Sequence, residues 1–238
     1  MCAKACKPSS LMLGAFLFDS AFANGAYSHS FGLETYISWG RVVDAKSFQE
    51  WLRGYMLEVF APQEGVVYVL ANAFKTKPLS LLKLARIANA SLLSKECRNG
   101  AISIARATLK NTEFLHNQIA SWYYAICQNE DYAHPAIAFS VLSCEDLMEQ
   151  YAYANIKTLT QNATRAIPLS YRKSSQILYE NLELSKEVAR KCEFLAQSTL
   201  QKGYISLNDK ENCLFASHQE IDLTTFAHEK LDFRLFMS

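Results

Sequence analysis

Glycine and proline are scarce in this chain, with 8 and 5 among 238 residues. Hairpin-rich β folds need turn residues at short intervals, so the scarcity argues for helices joined by few tight turns. No long run of one charge sign occurs, and 24 basic against 23 acidic residues leave a net charge of +1. A dedicated nucleic-acid or anionic-membrane binder carries a basic patch, so the composition argues against both partner classes. No stretch reaches the ~20 apolar residues of a membrane span. The seven cysteines, at 2, 6, 97, 127, 144, 192 and 213, are scattered, odd in number and without a CxxC pair. A chain this long needs no disulfide framework, and these cysteines read as buried small hydrophobes and surface thiols of a reducing compartment.

Recognisable chemistry is also missing. There is no GxSxG nucleophile elbow and no GxxxxGK[ST] phosphate loop. Ser28-His29-Ser30 sets hydroxyls beside an imidazole, but a nucleophile and its base normally come from separate elements, so this triplet reads as local capping. His228-Glu229 begins like a zincin motif, yet Asp232 stands where the second histidine belongs. Cys213 and His218 are near in sequence, but two ligands do not make a tetrahedral site. The reading that follows is an interaction protein rather than an enzyme, with no cofactor.

What is present is helical periodicity. Half the residues are apolar by type, and they recur at spacings of three and four through most of the chain. The pattern predicts a helix over 47–60, with Ser47 as N-cap and Glu50 completing a capping box. Pro62 reads as the first turn of a following helix over 63–75, where GVVYVL also fits a strand. Helices are expected over 79–93, over 100–128 as one or two, over 136–166 after the break at His134-Pro135, and over 170–200. In the last of these, Glu187 and Lys191 stand as an i,i+4 ion pair. The fold class is all-α: one domain over 1–238, a multi-helix bundle with a flexible start (1–9), a helical core (10–203) and a C-terminal part (204–238). That last part holds a loop, a short helix near 219–229 and a tail. Phe226, Leu231, Phe233, Leu235, Phe236 and Met237 crowd the tail, and such side chains at a chain end must bury against their own domain or a partner.

The apolar run Leu11–Phe18, preceded by Lys4 and Lys7 and followed by Ala21-Phe22-Ala23, has the outline of a secretory signal. Asp19 and the bulky Phe18 and Phe22 speak against it.

Three segments carry a resemblance. Asp19-Ser20-Ala21-Phe22 followed by Gly25-Ala26-Tyr27-Ser28-His29-Ser30-Phe31-Gly32-Leu33-Glu34 resembles the N-terminal signature of the urease accessory protein F family. Arg165-Ala166-Ile167-Pro168-Leu169, with Gln176 beyond it, is similar to that family's Arg-x-x-Pro-Leu segment. His228-Glu229 with Arg234-Leu235-Phe236 and Ser238 is similar to its ending. Departures are Ala23 for the family's proline, and Ser170 and Tyr171 for glycine and glutamine.

The resemblance implies an all-helical, non-enzymatic, cytoplasmic accessory protein that assists nickel insertion into apo-urease. Its implied partners are the scaffold accessory protein D (H in some organisms), the GTPase accessory protein G and apo-urease, with a homodimer in the complex. It implies that the run 11–18 is an internal first helix, and that Gly25 and Gly32 make tight turns. Tyr27, His29, Glu34, His228, Glu229, Arg234, Leu235, Phe236 and Ser238 are the expected partner-binding residues. The competing expectation is direct nickel handling by His29, His228, Cys213 or His218, since imidazole suits nickel.

Overall fold

A computed structural model describes residues 9–129, 131–143, 145–205, 219–228, 231 and 234–237. All regular structure among the described residues is helical. Helix α1 (Ser10–Leu17) is capped by Ser9. It continues into Phe18, whose ring meets Phe139 and Tyr151 at centroid distances of 5.1 and 5.6 Å. Within the run 11–18, Gly14 and Leu17 are buried and Leu13 and Phe18 pack against the core, while Leu11, Met12 and Phe16 stay exposed. A single 3-10 turn (Ala26–Ser28) leads to α2 (Leu33–Ser38). The glycines before these two elements, Gly25 and Gly32, have φ of 83° and 88°. A side chain is strained in that left-handed region, which explains why both positions are glycine.

Helix α3 (Ala45–Tyr55) starts earlier than its apolar pattern suggests. Its N-cap is Asp44, and Ser47 is the third helical residue that completes the capping box. Ser47 is therefore not the N-cap, and Glu50 takes no part. Pro62 does not open a new helix either. It lies inside a π-helical stretch (Met56–Gly65) that runs without interruption from α3 into α4 (Val66–Phe74). The wider π ladder accommodates a residue that has no N–H to donate. The valine-rich GVVYVL is helical because burial on every side overrides β propensity; each residue from Val66 to Ala71 is buried.

Helix α5 (Pro78–Ser91) and α6 (Lys95–Lys110) precede α7 (Gln118–Asn129). Pro135 sits in the first turn of α8 (Pro135–Leu142), as the sequence predicts, and all eight residues of that helix are buried. The expected helix 136–166 is therefore two, α8 and α9 (Met148–Ala166). Helices α10 (Tyr171–Glu180) and α11 (Leu182–Lys202) are likewise separate, divided at Asn181. Helix α12 (Gln219–His228) packs on α2.

Helices α4 and α8 lie against each other at the centre, with α11 and α5 on α4 and α6 and α7 on α8. Tyr151 of α9 joins the layers: its ring meets Phe60, Tyr68 and Phe139 at 5.7, 5.1 and 5.3 Å. The close approach of the π stretch to α11 requires Gly65, where a Cβ would stand 2.3 Å from Cys192 Sγ. Glu187 and Lys191 do not pair with each other. They reach across to Arg53 and Glu58 at 2.7 and 2.8 Å, tying α11 to α3 and the π stretch.

Candidate functional site

Glu34 is in the first turn of α2, where a carboxylate suits the helix dipole. Its side chain is buried and faces the C-terminal segment. Oε1 accepts the backbone N–H of Leu235 at 2.5 Å, and Oε2 accepts that of Phe236 at 3.1 Å. Oε2 also lies 2.9 Å from His228 Nε2. The other ring nitrogen of His228, Nδ1, is 2.8 Å from Glu96 Oε2. Glu96 Oε1 in turn accepts from Arg234 Nη1 at 2.8 Å. One imidazole, two carboxylates and one guanidinium thus join α2, the first turn of α6, the end of α12 and the tail. Such charge-assisted bonds are the strong ones, and the His228 ring is only 1% exposed.

The tail is fixed on its other side as well. Phe236 is buried, and the Arg165 guanidinium lies 5.1 Å from its ring centroid. Met237 N–H donates to Ser28 O at 2.7 Å. The Thr35 hydroxyl donates to Thr224 O of α12 at 2.9 Å, holding the helix beside α2. The turn that carries His29 is pinned from α9, where Asn162 Nδ2 donates to His29 O at 2.8 Å. The His29 ring is buried against Gly100, where a Cβ would come within 2.7 Å of His29 Cε1. Burial, and then the charge on His228, lower the His29 pKa.

Of the residues singled out in the sequence, the clamp unites Glu34, His228, Arg234, Leu235 and Phe236 directly. Tyr27 is exposed at its rim and gives its carbonyl to Arg165 at 3.4 Å. His29 stands beneath it. Glu229, Ser238, Cys213 and His218 lie outside the described residues. The side chains of Leu235 and Met237 point outward, 46% and 67% exposed, and Leu223 and Phe226 of α12 are exposed too. Sequence reasoning missed Glu96, Asn162 and Thr35. An acidic residue just after the Ser94 N-cap reads as ordinary helix-start chemistry, and nothing local says that it meets a histidine 132 positions away.

A family model described as UreF matches residues 42–181. Three curated relatives bear the name urease accessory protein UreF. The one from Bacillus sp. (strain TB-90) is 31% identical over 232 residues, which span 93% of this chain and 96% of that protein. Those from Lachnoclostridium phytofermentans and Streptococcus salivarius are each 29% identical over the same share of this chain, covering 96% and 92% of their own lengths.

The chain belongs to the UreF family.

The UreF model spans residues 42–181, so it contains Glu96 but neither Glu34 nor the clamp's C-terminal side. Among the described residues of this UreF chain, no group of three or more His, Cys, Asp or Glu side chains is arranged to hold a metal ion. No described helix is long and apolar enough to cross a membrane.

Proposed function

We propose that this chain is a urease maturation adaptor whose clamped C-terminal segment is its surface for the scaffold accessory protein D/H. The complex so formed recruits the GTPase accessory protein G and meets apo-urease, in the cytoplasm, with nickel as cargo. A homodimer forms within that complex. The observation that carries this reading is the way the clamp divides the tail. Backbone groups and Phe236 are held inward, while Leu235, Met237, Leu223 and Phe226 are left facing out. A segment fixed by its backbone and exposing its apolar side chains is prepared for a partner, because its ordering cost has been met before binding. Arg234 and the aromatic residues are of the types that anchor interfaces.

The test is calorimetric titration of the scaffold accessory protein from the same genome into the full chain. Leu235→Asp and Met237→Asp should each weaken binding about tenfold or more, because each buries a charge at the interface. Tyr171→Asp serves as control: Tyr171 is 85% exposed, on α10. Equal affinity for all four chains would contradict the assignment.

A further inference from the structure

His228 has a carboxylate at each ring nitrogen, at 2.8 Å from Nδ1 and 2.9 Å from Nε2. A neutral imidazole donates from one nitrogen only, and an ionised carboxylate only accepts. Both contacts are therefore hydrogen bonds only when the three groups hold two protons between them. That state is an imidazolium between two carboxylates, or a neutral imidazole beside one protonated carboxyl. In the imidazolium form the charges of Glu34, Glu96, His228 and Arg234 sum to zero. Removing one proton sets a nitrogen lone pair against a carboxylate oxygen, in a site where the His228 and Glu34 side chains are 1% and 7% exposed. Such a contact is repulsive and poorly screened. Glu34 Oε2, which meets His228, also accepts the Phe236 N–H, and Oε1 of the same carboxylate accepts the Leu235 N–H.

We propose that Glu34, His228 and Glu96 form a proton-dependent latch that docks the C-terminal tail and releases it as pH rises. The latch acts within the isolated chain and is independent of what the tail binds. The groups facing His228 are Glu34 from α2, Glu96 from α6, Arg234 from the tail and His29 from the turn before α2. Arg165 of α9 reaches the same site through Phe236. Both arginines keep their charge throughout. His29 is disfavoured as a competing proton site by its burial and by the charge on His228. Glu229, Lys230 and Asp232, beside the latch in sequence, lie outside the described residues.

The experiment is nuclear magnetic resonance on the full chain, from about pH 5.5 to about pH 9, the range in which imidazole chemistry changes. It follows the His228 ring nitrogen shifts and the exchange protection of the Leu235 and Phe236 amides, corrected for intrinsic base catalysis. The expected result is two protonated ring nitrogens with a protected tail at low pH, then about a tenfold or greater loss of protection as the ring loses a proton. Glu96→Gln is the informative variant. Its side-chain amide can donate to Nδ1, so a neutral ring satisfies both contacts and the profile should flatten with the tail still docked. Tail protection independent of pH in the unsubstituted chain would overturn the latch. So would an unchanged slope in Glu96→Gln, or tail release in either chain without a simultaneous change at the ring nitrogens.

Discussion

Glu34 accepts the backbone N–H of Phe236 at 3.1 Å across 202 positions of sequence. The bond closes the molecule: the second helix and the chain's last residues become one surface. Because the acceptor is a buried carboxylate and the donors are main-chain groups, tail identity matters less to docking than Glu34 does.

Glu34→Ala should therefore free the tail without unfolding the bundle. It leaves two backbone N–H groups and the His228 ring without their shared acceptor, a local cost of about 3 kcal/mol. Limited proteolysis should cut the variant near its C-terminus at a rate well above that of the unsubstituted chain, with helix content by circular dichroism unchanged. Equal resistance would mean that the other tail contacts (Phe236 against Arg165, the Arg234–Glu96 pair and the Met237 N–H on Ser28 O) hold it without Glu34.

Gly65→Ala tests the contact between the π stretch and α11. The backbone at 65 has ordinary helical angles, so alanine would by itself stabilise. The added Cβ meets Cys192 Sγ, however, and overpacking should win by about 1–3 kcal/mol in chemical denaturation. Cys192→Ala removes the opposing atom, so the double variant should recover part of the loss. Strict additivity of the two single effects would show that the close approach is not the cause.

Glu64 gives stability a pH dependence. Its Oε1 accepts the Tyr151 hydroxyl, and burial lifts its pKa from 4.5 to about 7 against that bond's opposing effect. Between those values the folded chain keeps a proton that the unfolded chain has released. The contribution is fully present below 4.5 and is lost as pH rises through about 7. His134 works in the opposite sense, because burial pushes it down to about 4 and its contribution is lost as pH falls from 6.5. The two are separated by difference. Glu64→Gln should remove a decline of about 3 kcal/mol between the lower and upper limits of the Glu64 window, leaving the His134 contribution in place. Parallel stability profiles for the two chains would contradict the raised Glu64 value.

Much of the helical architecture is legible in the sequence, because apolar spacing, Pro135 at a helix start and the scarcity of glycine all act locally. The turns at Gly25 and Gly32 follow instead from the family resemblance, and their positive φ angles bear them out. The apolar pattern points to Ser47 as the α3 N-cap, whereas the extended backbone at Asp44 makes that residue the cap, and both residue types cap well. The π stretch was illegible because a proline inside an apolar pattern ordinarily marks a boundary. The ion pairs of Glu187 and Lys191 go to other helices because tertiary partners at 2.7 and 2.8 Å displace the one on their own helix. In the candidate site, the residues in the recognisable segments could be named from sequence, whereas Glu96 and Asn162 could not. Their roles depend on contacts 132 and 133 positions away.

The adaptor assignment rests on one association, and size-exclusion chromatography with light scattering measures it. The full chain is mixed with the scaffold accessory protein from the same genome, beside a chain lacking residues 225–238 whose helix content has been verified. The expected result is a discrete complex with the full chain, of mass fitting two copies of each protein, and none with the shortened chain. Complex formation by both chains, or by neither when both proteins are folded, would contradict the assignment.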